Sequence, residues 1–273
     1  MPIIIRSRSG SFNRNHAMIK LRSIALILSA FALAACEKNA VQDITGSLPG
    51  SRIKFFNFGV GAPSVNFYAN DAKVTAVLST LSTELNTGTA YGGVGSGGFY
   101  SALNPGTYAF KARLSDTATS ATVLSNVSQA LVAGKNYSYY MSGFYDATAK
   151  TTESFVVEDN LTATIDFTGA YVRFVNAISN SQPMILYAKN TTTGDELPLG
   201  AAIAYKSGGT FVLLPVGIYD LNTRLAGSTT NVITRLAVQF VAGRVYTIGG
   251  LGDITVTLST AATRARLDNT ANR

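Results

Sequence analysis

The sequence predicts an all-β protein built as two tandem β-sandwich domains behind an export segment. Three observations predict it. Short β-type runs are separated by turn residues, an internal repeat covers most of the chain, and a basic-then-apolar N-terminal stretch ends in small residues before the only cysteine. The chain has 273 residues, 47% apolar and 14% charged, which suffices for two domains with filled cores.

The N-terminal element reads as a signal for export. Met18-Ile-Lys-Leu-Arg22 is a short basic region, and Ile24 to Ala35 is an apolar stretch too short for the roughly 20 residues of a membrane-spanning helix. Leu33, Ala34, Ala35 and Cys36 form a lipobox, with small residues at the two positions before the cysteine. The expectation is cleavage before Cys36, lipidation of its sulfur, and anchorage in a bacterial envelope membrane; two or more acyl chains hold stably where one does not. Residues 1–35 form the export segment, with Met18 as the start of the signal peptide proper. Glu37, rather than Asp, after the cysteine points to the outer membrane. Residues 36–50 are polar with Pro and Gly and read as a tether.

Beyond the tether the predicted strands include Ile53–Phe58, Ser64–Tyr68, Tyr108–Leu114, Asn136–Gly143, Ser154–Val157, Val172–Ala177, Met184–Ala188, Ile218–Leu225, Val245–Gly249 and Ile254–Leu258. Tyr, Phe, Val and Thr are abundant in them, as pleated half-buried surfaces favour. Lys73–Leu85 and Ile233–Val241 are the two stretches whose patterning admits a helix.

The repeat organises these runs. Ile53-Lys-Phe-Phe-Asn57 returns as Val172-Arg-Phe-Val-Asn176, followed in both copies by Tyr-Ala (Tyr68-Ala69, Tyr187-Ala188). Tyr91 with Gly97-Gly98 answers to Tyr205 with Gly208-Gly209. Pro105-Gly106-Thr-Tyr108 answers to Pro215-Val-Gly217-Ile-Tyr219, and Arg113-Leu114 to Arg224-Leu225. Ala133-Gly134-Lys135 matches Ala242-Gly243-Arg244, with Gly expected to supply a positive φ in a hairpin. Glu158-Asp-Asn160 is matched to Leu267-Asp-Asn269, which makes Arg264–Leu267 a last strand. The domains are expected at 51–165 and 166–273, the second copy being shorter ahead of its Pro-Gly hairpin. Units of about 100 residues with about seven short strands suggest a two-layer sandwich, immunoglobulin-like or similar.

The strand opening [Val/Ile]-[Lys/Arg]-Phe-x-Asn and the later Pro-x-Gly-x-Tyr hairpin resemble a bacterial envelope family known as domain of unknown function 4397. Its unit typically opens Val-Arg-Phe-Val-His; Asn57 and Asn176 stand where that His is usual. The resemblance covers about 50–269. It implies exported, often lipidated or repeated β domains, and it brings no catalytic residue.

Composition narrows the chemistry. Five of the 22 basic residues and no acidic ones lie in 1–35, so from Cys36 onward 17 basic side chains face 15 acidic ones. That balance leaves nothing for a row of phosphates, and no nucleic-acid partner is expected. The single histidine, His16, lies before the cleavage site, and lipidation consumes Cys36. Without His or free Cys there is no Ser-His-Asp or Cys-His arrangement and no ordinary zinc site. No catalytic residue, metal or cofactor is expected.

The candidate ligand-binding residues are aromatic: Tyr137, Tyr139, Tyr140 and Tyr145, with Tyr91 and Tyr100. Exposed, they would stack on sugars; alternation instead places Tyr137, Tyr139 and Met141 on one face and Tyr140 on the other. Gly93-Val-Gly95-Ser-Gly-Gly98 satisfies G-x-G-x-x-G, but no helix follows, so it reads as a loop. Glu158, Asp159 and Asp268 could offer oxygens to calcium, yet no Asp-rich loop exists and turn roles are expected. The sequence therefore predicts a membrane-anchored, non-catalytic structural or adhesive protein. Its expected partners are a polysaccharide, peptidoglycan or an envelope protein. A small-ligand module with a Tyr-lined cleft and a carboxylate-only glycan hydrolase are the alternatives.

Overall fold

The computed structural model describes residues 50–75, 79–80, 83–84, 87–115, 121–161 and 164–273, with backbone alone at 79–80 and 83–84. The signal peptide, the lipobox Leu33–Cys36 and the tether up to residue 49 lie outside the described residues. Pro49–Arg273 forms one compact unit.

The first repeat contributes β1 (Ser51–Asn57), β2 (Val65–Ala69), β3 (Ala72–Lys73), β4 (Ser79–Thr80), β5 (Thr83–Glu84), β6 (Gly93–Val94), β7 (Ser101–Leu103), β8 (Gly106–Leu114), β9 (Val123–Leu131), β10 (Asn136–Asp146) and β11 (Thr151–Glu158). The second contributes β12 (Gly169–Asn176), β13 (Met184–Asn190), β14 (Glu196–Pro198), β15 (Ser207–Gly208), β16 (Val212–Pro215), β17 (Gly217–Leu225), β18 (Ile233–Phe240), β19 (Val245–Leu251) and β20 (Arg266–Ala271). Apart from the β4–β5 hairpin, which has no counterpart, the strands of the two repeats correspond one to one in order.

In the first repeat one sheet runs β11-β10-β1-β6, with β7 also on β1, and the other runs β3-β2-β8-β9. The second repeat has the same pair: β20-β19-β12-β15 with β16 on β12, and β14-β13-β17-β18. The register repeats as well. β1 runs parallel to β10 with Ile53 opposite Tyr137, and β12 runs parallel to β19 with Val172 opposite Tyr246.

Alternation along these strands fills a core inside each sandwich. Ile53 and Phe55 meet Val65, Phe67, Phe110 and Tyr139 in the first. Val172 and Phe174 meet Leu186, Leu221, Phe240 and Ile248 in the second. The two Ala-Gly-[Lys/Arg] turns have the expected left-handed glycines, Gly134 at φ 75 and Gly243 at φ 70. Tyr108 and Tyr219 donate to the carbonyls of Asn104 and Pro215, both at 2.9 Å, and so tie each Pro-Gly corner to the strand it starts.

Three expectations about elements are corrected. Ile233–Val241 is not helical: β18 pairs with β17, and a bulge at Ala237 (φ 55) breaks its alternation, so Ile233, Val238 and Phe240 are buried while Leu236 faces solvent. Lys73–Leu85 holds β3 and the β4–β5 hairpin, with no helix among its described residues. Ile254–Leu258 is a turn and loop, because the Asp253 carboxylate accepts from both Thr255 N–H (2.9 Å) and Thr255 Oγ1 (2.6 Å).

The last strand also sits further along than Arg264–Leu267. In β11 and β20 the register sets Val156 opposite Tyr139 and Asn269 opposite Ile248. Asp159 N–H then donates to Asn136 O and Asn272 N–H to Val245 O, both at 2.7 Å. The true counterpart of Glu158-Asp159-Asn160 is therefore Ala271-Asn272-Arg273.

Candidate functional site at the junction of the two sandwiches

The repeated opening motif acquires a residue-by-residue meaning. Its first and third positions, Ile53 and Phe55 or Val172 and Phe174, enter the sandwich cores. Its asparagine is an anchor: Asn57 Nδ2 donates to Pro63 O (3.1 Å) and Thr89 O (2.9 Å), and Asn176 Nδ2 donates to Ile203 O (3.1 Å). Its second and fourth positions, Lys54 and Phe56 or Arg173 and Val175, point the other way. They are buried too, because the outer faces of the β1 and β12 sheets pack together and share a third core of Phe56, Phe58, Tyr140, Phe155, Val175, Ala177 and Leu251.

The junction follows the pseudo-symmetry of the repeat. Lys54 Nζ donates to Ala271 O (2.5 Å), and Arg173 Nη1 donates to the equivalent carbonyl, Glu158 O (3.0 Å). The Lys54 ammonium lies 4.5 Å over the ring of Tyr100, and the Arg173 guanidinium 4.7 Å over that of Phe211. Charge breaks the symmetry. Arg173 is ion-paired with buried Asp159, which also accepts from Tyr100 Oη (2.6 Å) and Ser138 Oγ (2.7 Å); the counterpart of Asp159 is neutral Asn272, whose Nδ2 donates to Tyr100 Oη (2.8 Å). Two cations therefore share one carboxylate. Burial lowers the Lys54 ammonium to about 8, against the pull of Asp159 and with the help of Arg173. Burial beside the same carboxylate raises the Tyr100 phenol, which stays protonated.

Packing at the junction is asymmetric in size. Phe56, Tyr140 and Phe155 form a stack of three rings, with centroid separations of 4.6 and 5.1 Å. The counterparts in the second repeat are small or polar: Val175, Gly249 and Asp268. A Cβ on Gly249 would lie 2.8 Å from the ring of Phe58, so the glycine makes room for that ring.

The candidate tyrosines are distributed differently from a stacking platform. Tyr139 and Tyr140 have 0% exposure and Tyr137 is buried, on the two faces that alternation predicted, so none offers a ring to a sugar. Burial pushes the Tyr139 phenol up to about 12. Tyr145 packs against the first core, and Tyr91 lies against the shared core beneath Arg266, 4.9 Å from its ring. Their hydrophobicity, equal to that of surface aromatics, concealed this: β10 is covered on both sides. Of the six, Tyr100 lines a cleft beside the junction.

Two clefts flank the junction and are counterparts of each other. The first, about 530 Å³, is lined by Lys54, Phe99, Tyr100, Arg244, Asp268 and the chain from Asn269 to Arg273. The second, about 410 Å³, is lined by Arg173, Thr210, Phe211, Tyr171, Glu158 and Asn160. Each has a single acidic side chain in its lining, so neither holds a carboxylate pair. The G-x-G-x-x-G segment forms a tight turn with Ser96 at φ 52 and Gly97 at φ 64, leading to the rim of the first cleft rather than into a helix. Glu158 is ion-paired with Lys135, and Asp268 accepts from Thr270 Oγ1 (2.6 Å). Among the described residues no three His, Cys, Asp or Glu side chains gather as metal ligands.

No family model matches the chain, and no curated relative matches it. Among solved structures it is similar to a candidate cell adhesion protein from Bacteroides ovatus ATCC 8483, at 10% identity over 84% of this chain and 97% of that one, with a TM-score of 0.22. A second candidate cell adhesion protein, from Bacteroides fragilis NCTC 9343, matches at 12% identity over 82% and 98% of the two chains, with a TM-score of 0.20. Likenesses at that level carry no argument about fold or role.

Proposed function

We propose that this is a lipid-anchored envelope protein of the kind resembled by domain of unknown function 4397, with a non-catalytic structural or adhesive role. Its body meets a polysaccharide, peptidoglycan or another envelope protein. The observation that carries this reading is where the repeat's distinctive side chains go. Lys54, Arg173, Asp159 and Tyr140 are consumed in fastening two sandwiches into one body, Tyr137 and Tyr139 fill the first sandwich, and the asparagines anchor strand ends. A duplicated unit whose recurring positions all serve construction fits a protein that presents a rigid surface. The lipobox Leu33–Cys36 supports lipid anchorage at the end of the 36–50 tether, and Glu37 after the cysteine supports the outer membrane.

The test has two readouts on the full chain. Cells producing it are labelled with radioactive palmitate and fractionated; label in the protein and recovery with membranes are expected, and both are lost in Cys36→Ser. The detergent-solubilised protein is then centrifuged with peptidoglycan and insoluble polysaccharides. Unlabelled protein that is secreted free would overturn the anchorage, and failure to pellet with any polymer would shift the partner to a protein.

A further inference from the structure

The two clefts arose from one ancestral position, yet they have diverged in charge. Where the first repeat leaves β11 as Glu158-Asp159-Asn160, the second leaves β20 as Ala271-Asn272-Arg273. At those three positions two carboxylates are gone and one guanidinium is gained. Asp268 adds a carboxylate where the first repeat has Phe155, so the clefts differ chiefly in their basic side chains. Arg244 feels this directly. Its counterpart Lys135 is ion-paired with Glu158, but Ala271 stands where that acid would be. Neither Arg244 nor Arg273 has an ion pair among the described residues.

Other features converge on the same cleft. Phe99 stands at the rim with 77% of its surface exposed, where the second cleft has Thr210. The side-chain oxygen of Asn272, a lining residue whose amide already donates to Tyr100, is buried without a hydrogen-bond partner. A buried acceptor without a donor is costly unless a ligand or water supplies one. The volume, about 530 Å³, is within the range for a small-ligand site.

We propose that this cleft binds a carboxylate-bearing saccharide, one acidic sugar unit of an anionic polysaccharide. Arg244 and Arg273 take the carboxylate, Phe99 covers the C–H face of the ring, and the Asn272 oxygen accepts from a sugar hydroxyl. An ionised acidic side chain would satisfy the arginines but has no donor of its own for the Asn272 oxygen, whereas a uronate ring carries hydroxyls beside its carboxylate. Asp268, within the cleft, limits the site to a single carboxylate rather than a run of phosphates. This inference rests on the reading that the body binds an envelope partner, and it can fail while that reading survives.

The experiment is isothermal titration of the detergent-solubilised full chain with short oligogalacturonates, oligoalginates and hyaluronan fragments. Methyl-esterified oligogalacturonate and polyglutamate serve as controls. At least one acidic saccharide is expected to bind, its ester at least about tenfold more weakly, as loss of a charge-assisted hydrogen bond requires. Added salt should weaken binding. Arg244→Gln and Phe99→Thr, both surface substitutions that leave the circular dichroism unchanged, should each weaken it about tenfold. Equal affinity for acid and ester overturns the inference but leaves a neutral-glycan partner. Polyglutamate binding as tightly as any saccharide overturns it in favour of a protein partner. Silence with all three acidic saccharides overturns it, whatever co-sedimentation shows.

Discussion

Lys54 and Arg173 occupy one position of a repeated motif and have opposite fortunes. Arg173 has Asp159; Lys54 has a carbonyl, the ring of Tyr100 and a share of that same carboxylate. Its ammonium is therefore held at a cost. Burial sets its folded value near 8 against an ordinary 10.5. Between those values the unfolded chain binds more protons than the folded one, so stability rises with pH across that window; below it the cost is present in full. Lys54→Met should stabilise the protein at about pH 7 by about 1–3 kcal/mol, since an apolar side chain of similar volume avoids the desolvation. It should also remove the gain between about pH 8 and 10. Urea midpoints across that range check both, and a variant less stable at neutral pH would show that the ammonium is a net asset. The cation was legible in the sequence as a lone Lys or Arg between apolar neighbours in a strand. Its burial was not, because nothing in one strand says that both faces will be covered.

At the level of elements, β1, β10, β12 and β19 carry the lesson about legibility. The repeat was plain in Ile53–Asn57 and Val172–Asn176, and the parallel pairing of first and penultimate strands follows the same register in both copies. The last strand was misplaced because the matching Asp-Asn pairs, at 159–160 and 268–269, are a coincidence of sequence that hydrogen bonding overrides. β18 resembled a helix because the bulge at Ala237 breaks the two-residue period. Of the candidate site, only Tyr100 was anticipated; Phe99, Arg244 and Arg273 come from segments far apart in the chain, and only pairing brings them together. The facing sheets make a specific demand at Gly249. A side chain there meets Phe58, which is buried and has little freedom to retreat. Gly249→Ala should cost about 1–3 kcal/mol, read as a lowered urea midpoint. The same change at Gly134, whose Cβ would meet nothing, tests only the left-handed φ of 75.

For the whole molecule, the shared third core decides how the repeats behave. Tandem domains joined by a linker unfold separately, with their own transitions. Here Phe56, Phe58, Tyr140 and Phe155 of one sandwich are buried with Val175, Ala177 and Leu251 of the other, and each sandwich supplies a cation to a carbonyl of its neighbour. Separating the two would expose that apolar face together with an unpaired Asp159 and Arg173, which is unfavourable on both counts. Duplication in this protein has produced a single body whose two clefts lie at its seam. The most direct measurement is equilibrium urea unfolding of the purified chain, followed in parallel by far-ultraviolet circular dichroism and by fluorescence of its tyrosines. The expected result is one transition with coincident midpoints, shifted as a whole by Gly249→Ala; two separable transitions, only one of them moved by the substitution, would contradict the fused junction.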